Sequence, residues 1–218
     1  MSVFTLKGEN QRRRILDSAT SLFARKGFAA TGMREIANEA GVNLAMINYY
    51  FGSKSGLLKN IMENFFDSFE ALIVSHFDNK SATSDFENSI RAYSRDLTLL
   101  CREKTDLMKV CITEFPADIP EIADFKNMRM KNILNAFIRN GISSDSAQKS
   151  DGGGYLPFIK SSALGGMIFM HFLFKPVIET FLNTRLGNDF YDSFSDQVSN
   201  LFLFGALGNS TTGNAVKG

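Results

Sequence analysis

The chain has 218 residues, two cysteines and a net charge of +1, so it is long enough to bury an apolar core without disulfide bonds. Cys101 and Cys111 have no CxxC spacing or paired histidines near them, which excludes a disulfide framework and a zinc site, and both are expected to be core thiols. The N-terminal sequence lacks the apolar segment of a signal peptide, and the uncharged run 161–174 is too short for a membrane span. A cytoplasmic protein that contacts no membrane and holds no metal or cofactor is expected.

Positive charge is concentrated near the N-terminus. Residues 1–60 carry nine Lys or Arg against four Asp or Glu, whereas the rest of the chain carries 15 against 19. A basic head on a mildly acidic body indicates contact with a polyanion. The alternative is that residues such as Arg12 and Arg14 only solvate the end of a helix.

Apolar residues recur at helical spacing almost throughout, which predicts an all-α fold. The first helix is predicted from about Asn10 to Lys26, and Gly27 ends it. The other predicted helices run from a cap at Thr31 to Gly41, from a cap at Asn43 to Gly52, from Lys54 after a cap at Ser53 to about His76, from about Asp85 to Cys101, from about Asp106 to Phe115, from Pro120 to Gly141, from Pro157 to about Leu182 with a bend near Pro176, and from about Asp189 to Leu207.

Polar segments without periodicity divide the rest of the chain. Loops are predicted at 78–84 and at 142–154, and residues 209–218 are expected to form a disordered tail. The predicted domains are a head of residues 1–53, a body of residues 54–208, and the tail.

Two short helices separated by a turn at Gly41 follow the pattern of a helix-turn-helix. The whole run TGMREIANEAGVNLAMINYYFGSKSGLL, Thr31 to Leu58, resembles the N-terminal signature of the TetR/AcrR family of transcriptional regulators. The features that carry the resemblance are Ile36-Ala37, Ala40-Gly41-Val42, Tyr49-Tyr50-Phe51 and Ser53-Lys54. It covers roughly residues 12–58 and implies a three-helix DNA-binding head on a helical ligand-binding and dimerisation bundle. It also implies a repressor that a small-molecule effector releases from a palindromic operator.

The outward face of the third helix carries the predicted base contacts. Leu44 and Ala45 can touch thymine methyl groups, and Asn48 has the donor and acceptor pair that matches adenine. Many members of the family have Lys or Arg in place of Leu44 and Thr in place of Gly32, so an altered base preference is expected. The alternative for Asn48 is an idle surface amide.

Phosphate contacts are predicted beside this face. The hydroxyls of Tyr49 and Tyr50 suit the DNA backbone, unless one ring packs between helices, and Lys54 adds a charge near free amides. The predicted DNA-binding residues are Thr31, Arg34, Asn43, Leu44, Ala45, Asn48, Tyr49, Tyr50 and Lys54.

The body is rich in Phe and Met, which fits either an ordinary core or a pocket for an apolar or aromatic effector. His76 and His171 lack a second ligand at metal spacing, although His171 can line a cavity or a subunit interface. The predicted pocket residues are Phe65, Phe69, Met108, Cys111, Phe115, Phe137, Met170 and His171.

The resemblance implies that the last two helices form a homodimer interface, and the apolar run Leu164–Phe174 supports this because a monomer would expose it. Gly165 and Gly166 would permit close helix approach. The predicted interface residues are Leu164, Ile168, Phe172, Phe174, Leu201 and Phe204.

An enzyme is not expected, because no nucleophile, base and orienting group occur at a plausible spacing. The remaining alternative is a small-molecule- or protein-binding module whose head has lost its affinity for DNA. Salt-dependent binding to duplex DNA distinguishes the two.

Overall fold

The computed structural model describes residues 3–77, 83–114, 118–139 and 156–205. All regular secondary structure within these residues is helical, which confirms the predicted all-α class. The helices are α1 (Val3–Lys26), α2 (Met33–Ala40), α3 (Leu44–Phe51), α4 (Lys54–Phe77), α5 (Thr83–Glu103), α6 (Thr105–Thr113), α7 (Pro120–Arg139), α8 (Leu156–Leu182) and α9 (Asn188–Phe204).

Most helices begin and end within a few residues of the predicted positions. The main difference is α1, which begins at Val3 rather than near Asn10 and runs through Gly8, a residue that costs a helix only about 1 kcal/mol. α8 continues through Pro176. The predicted loop 142–154, the predicted tail 209–218 and most of the predicted loop 78–84 lie outside the described residues.

The helices of the head end at glycines or begin after residues whose side chains cap the helix. Gly27 and Gly41 end α1 and α2 with φ of +81° and +61°, in the left-handed region that favours glycine. The Oδ1 atom of Asn43 accepts a hydrogen bond from the Met46 amide at 2.8 Å, and the Oγ atom of Ser53 accepts one from the Gly56 amide at 3.0 Å. Both predicted caps are therefore confirmed.

The predicted cap at Thr31 is wrong. Gly32 occupies the N-cap position of α2 and makes no side-chain capping bond. The Thr31 side chain is buried, and its hydroxyl donates to the Gly27 carbonyl at 2.8 Å. This hydroxyl therefore stabilises the turn between α1 and α2 instead of capping α2.

The chain divides into two compact units that are discontinuous in sequence. Unit 1 comprises Met1–Phe69 and Lys104–Lys131, and unit 2 comprises Glu70–Glu103 and Asn132–Gly218. The predicted domain boundary at residue 53 does not coincide with this division. The first part of α4, all of α6 and most of α7 belong to the same unit as the head.

Unit 1 is organised around α1, which packs against α2, α3 and α6. Ile15, Ala19, Leu22 and Phe23 form its buried face, as the helical spacing predicts. In α7, Ile122 and Phe125 are buried, and Lys126 is buried beside them. Met130 is half-exposed, and the side chains of Phe137 and Ile138 lie outside the described residues.

Unit 2 contains the pairwise packing of α5, α8 and α9. Tyr93 and Leu97 of α5, Phe172 of α8 and Tyr191 of α9 are all buried. The ring of Phe172 stacks on the ring of Tyr191, with the ring centroids 5.4 Å apart.

The two cysteines lie in separate units, and both are buried and form no disulfide bond. Burial raises the pKa of Cys111 to about 12, although the charge of Lys126 acts in the opposite direction. Burial also raises the pKa of Cys101 strongly. Both side chains are therefore protonated core thiols at neutral pH, as predicted.

Candidate DNA-binding surface

Helix α3 is anchored by one face and presents the other to solvent. Ile47 and Phe51, four residues apart, are buried, whereas Ala45, Asn48 and Tyr49 are exposed. Tyr49 is 83% exposed, so both its ring and its hydroxyl are accessible to a ligand. Leu44, in the first turn, is half-buried. The structure thus brings the predicted base-contacting side chains together on one accessible face.

Tyr50 occupies a different position from Tyr49. Its ring is half-buried and meets the ring of Tyr49 edge-on, with centroids 5.2 Å apart. A Cβ atom on Gly8 of α1 would lie 3.2 Å from the Tyr50 hydroxyl. Of the two tyrosines, Tyr50 is therefore the one that packs between helices, and sequence reasoning missed Gly8 as its neighbour.

Lys54, in the first turn of α4, is held by the turn between α1 and α2. Its Nζ atom donates to the carbonyl oxygens of Thr31 at 2.8 Å and Ala29 at 3.4 Å, and it lies 4.3 Å from the ring centre of Phe28. Partial burial lowers the pKa of Lys54, and the charge of Glu114 opposes this effect. Because an ammonium group has three N–H donors, one remains for a phosphate oxygen.

Thr31 was predicted as a phosphate contact, and its geometry does not suit that role. Its side chain is 1% exposed, and besides the Gly27 carbonyl its hydroxyl lies 3.5 Å from the carbonyl of Leu22. We therefore exclude Thr31 from the DNA-binding set proposed below. In sequence, a threonine between two helices can either cap the following helix or donate its hydroxyl back to a carbonyl of the preceding turn, and the pattern does not distinguish the two.

The basic residues of the head differ in how many contacts they form with other parts of the protein. Arg12 donates to the Asn60 amide oxygen at 2.6 Å and lies over the ring of Phe51. Arg34 is exposed and forms no hydrogen bond or ion pair with any residue in the described part of the chain. Within the head, ion pairs join Lys26 to Glu35 and Arg25 to Glu39 at 3.8 Å, and beyond it Lys59 pairs with Glu121 at 3.9 Å. Arg34 is thus available for a DNA contact.

The predicted effector-pocket residues belong to both units. Phe65, Phe69, Met108 and Cys111 are buried in unit 1, and His171 is buried in unit 2. Met170, also in unit 2, is half-exposed and therefore does not line an enclosed pocket. Phe115 and the side chain of Phe137 lie outside the described residues.

An open depression of about 540 Å³ lies at the end of α8. Its lining is polar and includes none of the predicted pocket residues. The lining residues are Pro176, Glu179, Thr180, Asn183, Thr184 and Arg185.

His171 lies among aromatic side chains of α9. Its ring centre is 4.4 Å from that of Phe194 and 5.3 Å from that of Phe190, and its Nε2 atom is buried without a hydrogen-bond partner among the described residues. Burial lowers the pKa of His171, and the charge of Lys175 lowers it further, while Glu179 opposes them. His171 is therefore a neutral side chain at physiological pH.

Helix α8 has one buried and one exposed apolar face. Leu164, Ile168 and Phe172 were predicted in the dimer interface, and this is wrong, because all three are fully buried within the chain. Most exposed large apolar side chains of α8 follow a helical stripe, and α9 adds two of its own. The stripe comprises Ile159, Met170, Phe174, Val177 and Phe181; Leu182 is exposed beside it, and α9 contributes Leu201 and Phe204. Because Leu164–Phe174 is apolar on all sides, the sequence did not separate the two faces.

The length of α8 also bears on the membrane prediction. The uncharged run 161–174 is too short for a membrane span, but the longer segment Ser162–Leu182 of α8 could cross a membrane by length and composition alone. Helices of soluble proteins also meet this criterion; here 28% of the window is buried, and it contains an ion pair of 3.9 Å between Lys175 and Glu179.

Comparison with known proteins places this head in a described family. Residues 15–61 match the family described as bacterial regulatory proteins, tetR family. The probable HTH-type transcriptional regulator YttP of Bacillus subtilis is 31% identical over 131 residues, which cover 59% of this chain. The chain spans 63% of the length of that relative.

Solved structures share the fold over nearly the whole chain. The fatty acid degradation regulator FadR from Bacillus halodurans superposes with a TM-score of 0.68 at 16% identity, over 90% of this chain and 96% of its own. FadR from Bacillus subtilis, solved in complex with stearoyl-CoA, gives a TM-score of 0.64 at 18% identity, over 88% of this chain and 98% of its own. At these identities the likeness concerns the fold. Residues 15–61 thus match the tetR family of bacterial regulatory proteins, and the chain as a whole shares its fold with these solved regulators.

Proposed function

We propose that the chain is a cytoplasmic transcriptional regulator that binds operator DNA as a homodimer through α3. The observation that carries the proposal is the face of α3, where Asn48 and Tyr49 are exposed while Ile47 and Phe51 fix the helix to the head. A polar amide and a large exposed ring on a short, firmly capped helix suit insertion into the major groove.

Each exposed side chain has a defined role in this proposal. Asn48 forms a bidentate contact with adenine, a contact that discriminates against other bases by roughly 1 to 3 kcal/mol. Ala45 and Leu44 meet thymine methyl groups. Tyr49 and the free donor of Lys54 bind phosphate oxygens and set the register without reading sequence.

The exposed stripe on α8 supports a homodimer. Phe174, Val177 and Phe181 succeed one another at spacings of three or four residues, so they lie on one side of the helix. An isolated chain would leave this apolar surface in water, whereas pairing with a second copy buries it. A two-fold dimer presents two copies of α3 to half-sites about 34 Å or a multiple of that apart, so the operator is palindromic.

The effector is proposed to be apolar or aromatic and the output to be repression. The buried Phe and Met side chains of the body provide the apolar surroundings that such a ligand needs. The shared fold with FadR from Bacillus subtilis, solved with stearoyl-CoA, supports a ligand that carries an apolar chain. An effector that favours one spacing of the two heads requires a coupling of about 1 to 3 kcal/mol.

Selection from genomic DNA tests the proposal. The purified full chain is mixed with fragments of the genome of the source organism at moderate salt, and bound fragments are recovered and sequenced. The expected result is enrichment of a palindromic motif whose half-sites change when Asn48→Ala is used. Binding without an enriched motif, or no salt-dependent binding to any duplex, would overturn the proposal, and the second result would favour the binding module without DNA affinity.

A further inference from the structure

The turn that holds Lys54 also touches the end of α6. Glu114 is the C-cap residue of α6, and its Oε1 atom lies against Gly27, where a Cβ atom would be 3.4 Å away. Gly27 begins the turn whose carbonyl groups, those of Ala29 and Thr31, accept hydrogen bonds from Lys54. The same short turn therefore contacts the acidic side chain of Glu114 and accepts hydrogen bonds from Lys54, the residue proposed to bind a phosphate.

A second lysine fixes the position of Glu114. The Nζ atom of Lys126 in α7 donates to the carbonyl oxygen of Glu114 at 2.9 Å and to that of Cys111 at 2.8 Å. Lys126 is only 4% exposed, and its donors satisfy carbonyls that the end of α6 leaves unpaired. All of these residues belong to unit 1.

We propose that Glu114 is a positioning residue that limits DNA affinity by competing with a DNA phosphate for Lys54. The Glu114 carboxylate and the phosphate are both anions. Two N–H groups of the Lys54 ammonium donate to carbonyl oxygens of the turn, and the third remains for an anion. Lys126 keeps the carboxylate near the turn by holding the backbone of its residue. This inference rests on the proposed function and identifies an acidic residue outside the helix-turn-helix that tunes it.

The electrostatics of Lys54 agree with this arrangement. Partial burial puts the Lys54 ammonium group in less polar surroundings than those of a surface lysine, and this lowers its pKa. The charge of Glu114 opposes the shift. An interaction between partly buried charges is screened less by salt than one between surface charges. The effect of Glu114 on Lys54 should therefore persist at the salt concentrations used for DNA binding.

A double-mutant cycle tests the inference. The dissociation constant for a labelled 40-base-pair duplex of mixed sequence is measured by fluorescence anisotropy for the full chain, Glu114→Gln, Lys54→Met and the double variant. We expect Glu114→Gln to bind about two- to fivefold more tightly, the range of a partly exposed charge pair. In the Lys54→Met background the same change should have no effect.

The matched control is Asp118→Asn, which removes an exposed negative charge from the same unit without breaking an ion pair among the described residues. A general gain in positive charge would tighten binding equally for Asp118→Asn and Glu114→Gln, and it would survive in the Lys54→Met background. Either result, or no gain for Glu114→Gln, overturns the role of Glu114 while the proposed function stands. Failure of the wild-type chain to bind the duplex at low salt overturns the proposed function and this inference together. Equal thermal unfolding of the five proteins confirms that folding does not account for the differences.

Discussion

The hydroxyl group of Tyr50 in α3 lies so close to Gly8 in α1 that a Cβ atom at residue 8 would be 3.2 Å away. Gly→Ala inside a helix normally stabilises it by roughly 0.5 to 1 kcal/mol. Here Gly8→Ala should give a smaller gain, because the Tyr50 hydroxyl must shift. In a Tyr50→Phe background the full gain should return, as measured by urea unfolding. Equal effects in both backgrounds would contradict the close contact.

Asn48→Ala should relax the preference of the protein at one base pair of each half-site. The loss expected on the preferred sequence is about 1 to 3 kcal/mol, with little change on random DNA. Tyr49→Phe is the comparison, because a lost phosphate contact should weaken binding to all sequences alike. Anisotropy titrations on the selected operator and on a scrambled duplex measure both. Equal loss on the two duplexes for Asn48→Ala would contradict the base contact.

Phe174→Glu should convert the proposed homodimer into a folded monomer. Phe174 is 51% exposed on the α8 stripe, so a charge there disrupts pairing without entering the core of the chain. Leu99→Glu is the matched control, since Leu99 is 48% exposed on α5 and lies off the stripe. Sedimentation equilibrium should show monomers only for the first variant. Dimers in Phe174→Glu, or monomers in both variants, would count against the proposed interface.

His171 should make the free energy of unfolding depend on pH. Its pKa is lowered in the folded chain, so the unfolded chain binds the proton more readily, and stability falls as the pH is lowered through the ordinary histidine value of 6.5. Above that value both states are neutral and the contribution vanishes. Lys175 and Glu179 of α8 are the charged groups that act on it. Tyr191 of α9 lies 5.7 Å from its ring.

His171→Phe is the variant that tests this dependence, because it keeps a ring in the aromatic cluster and removes the titrating group. Urea unfolding between pH 5 and 8 should show a smaller loss of stability at low pH than the wild-type chain shows. The two proteins should differ least near pH 8. Parallel pH profiles would show that the dependence arises elsewhere.

Lys126→Met should destabilise the chain by about 1 to 3 kcal/mol, because the carbonyls of Cys111 and Glu114 lose their donor in a buried position. Lys131→Met is the control in the same helix, where the lysine is exposed and the change should be within about 0.5 kcal/mol. Thermal unfolding of both variants gives the comparison. Similar stability for the two would show that the capping bonds contribute little.

Local chemistry made much of the head predictable from sequence. Asn43 and Ser53 cap helices because a short polar side chain before a helix start can reach a free amide, and this depends only on neighbouring residues. The spacing of Ile47 and Phe51 likewise fixed which face of α3 is buried. The same spacing in α7 places Lys126 on the buried face with Ile122, a signal that sequence reasoning did not use.

Tertiary packing decided the features that sequence reasoning missed. Thr31 can bond forward to α2 or back to Gly27, and the burial of the turn selects the second. Leu164 and Phe174 are equally apolar, so only the packing of α8 against α5 and α9 separates core from surface. The composition of unit 1 was not predictable, because Lys104–Lys131 is distant in the chain from the head that it joins.

The discontinuity of unit 1 also has a consequence for synthesis on the ribosome. α1 packs against α6, and the ring of Phe66 contacts that of Phe125, so the core of the unit closes only after residue 125 has left the exit tunnel. At about 5 to 20 residues per second, more than half of the chain must emerge before the head acquires its full core. A nascent chain that has exposed only its helix-turn-helix therefore lacks the contacts that stabilise α1, and unit 1 is complete only late in translation.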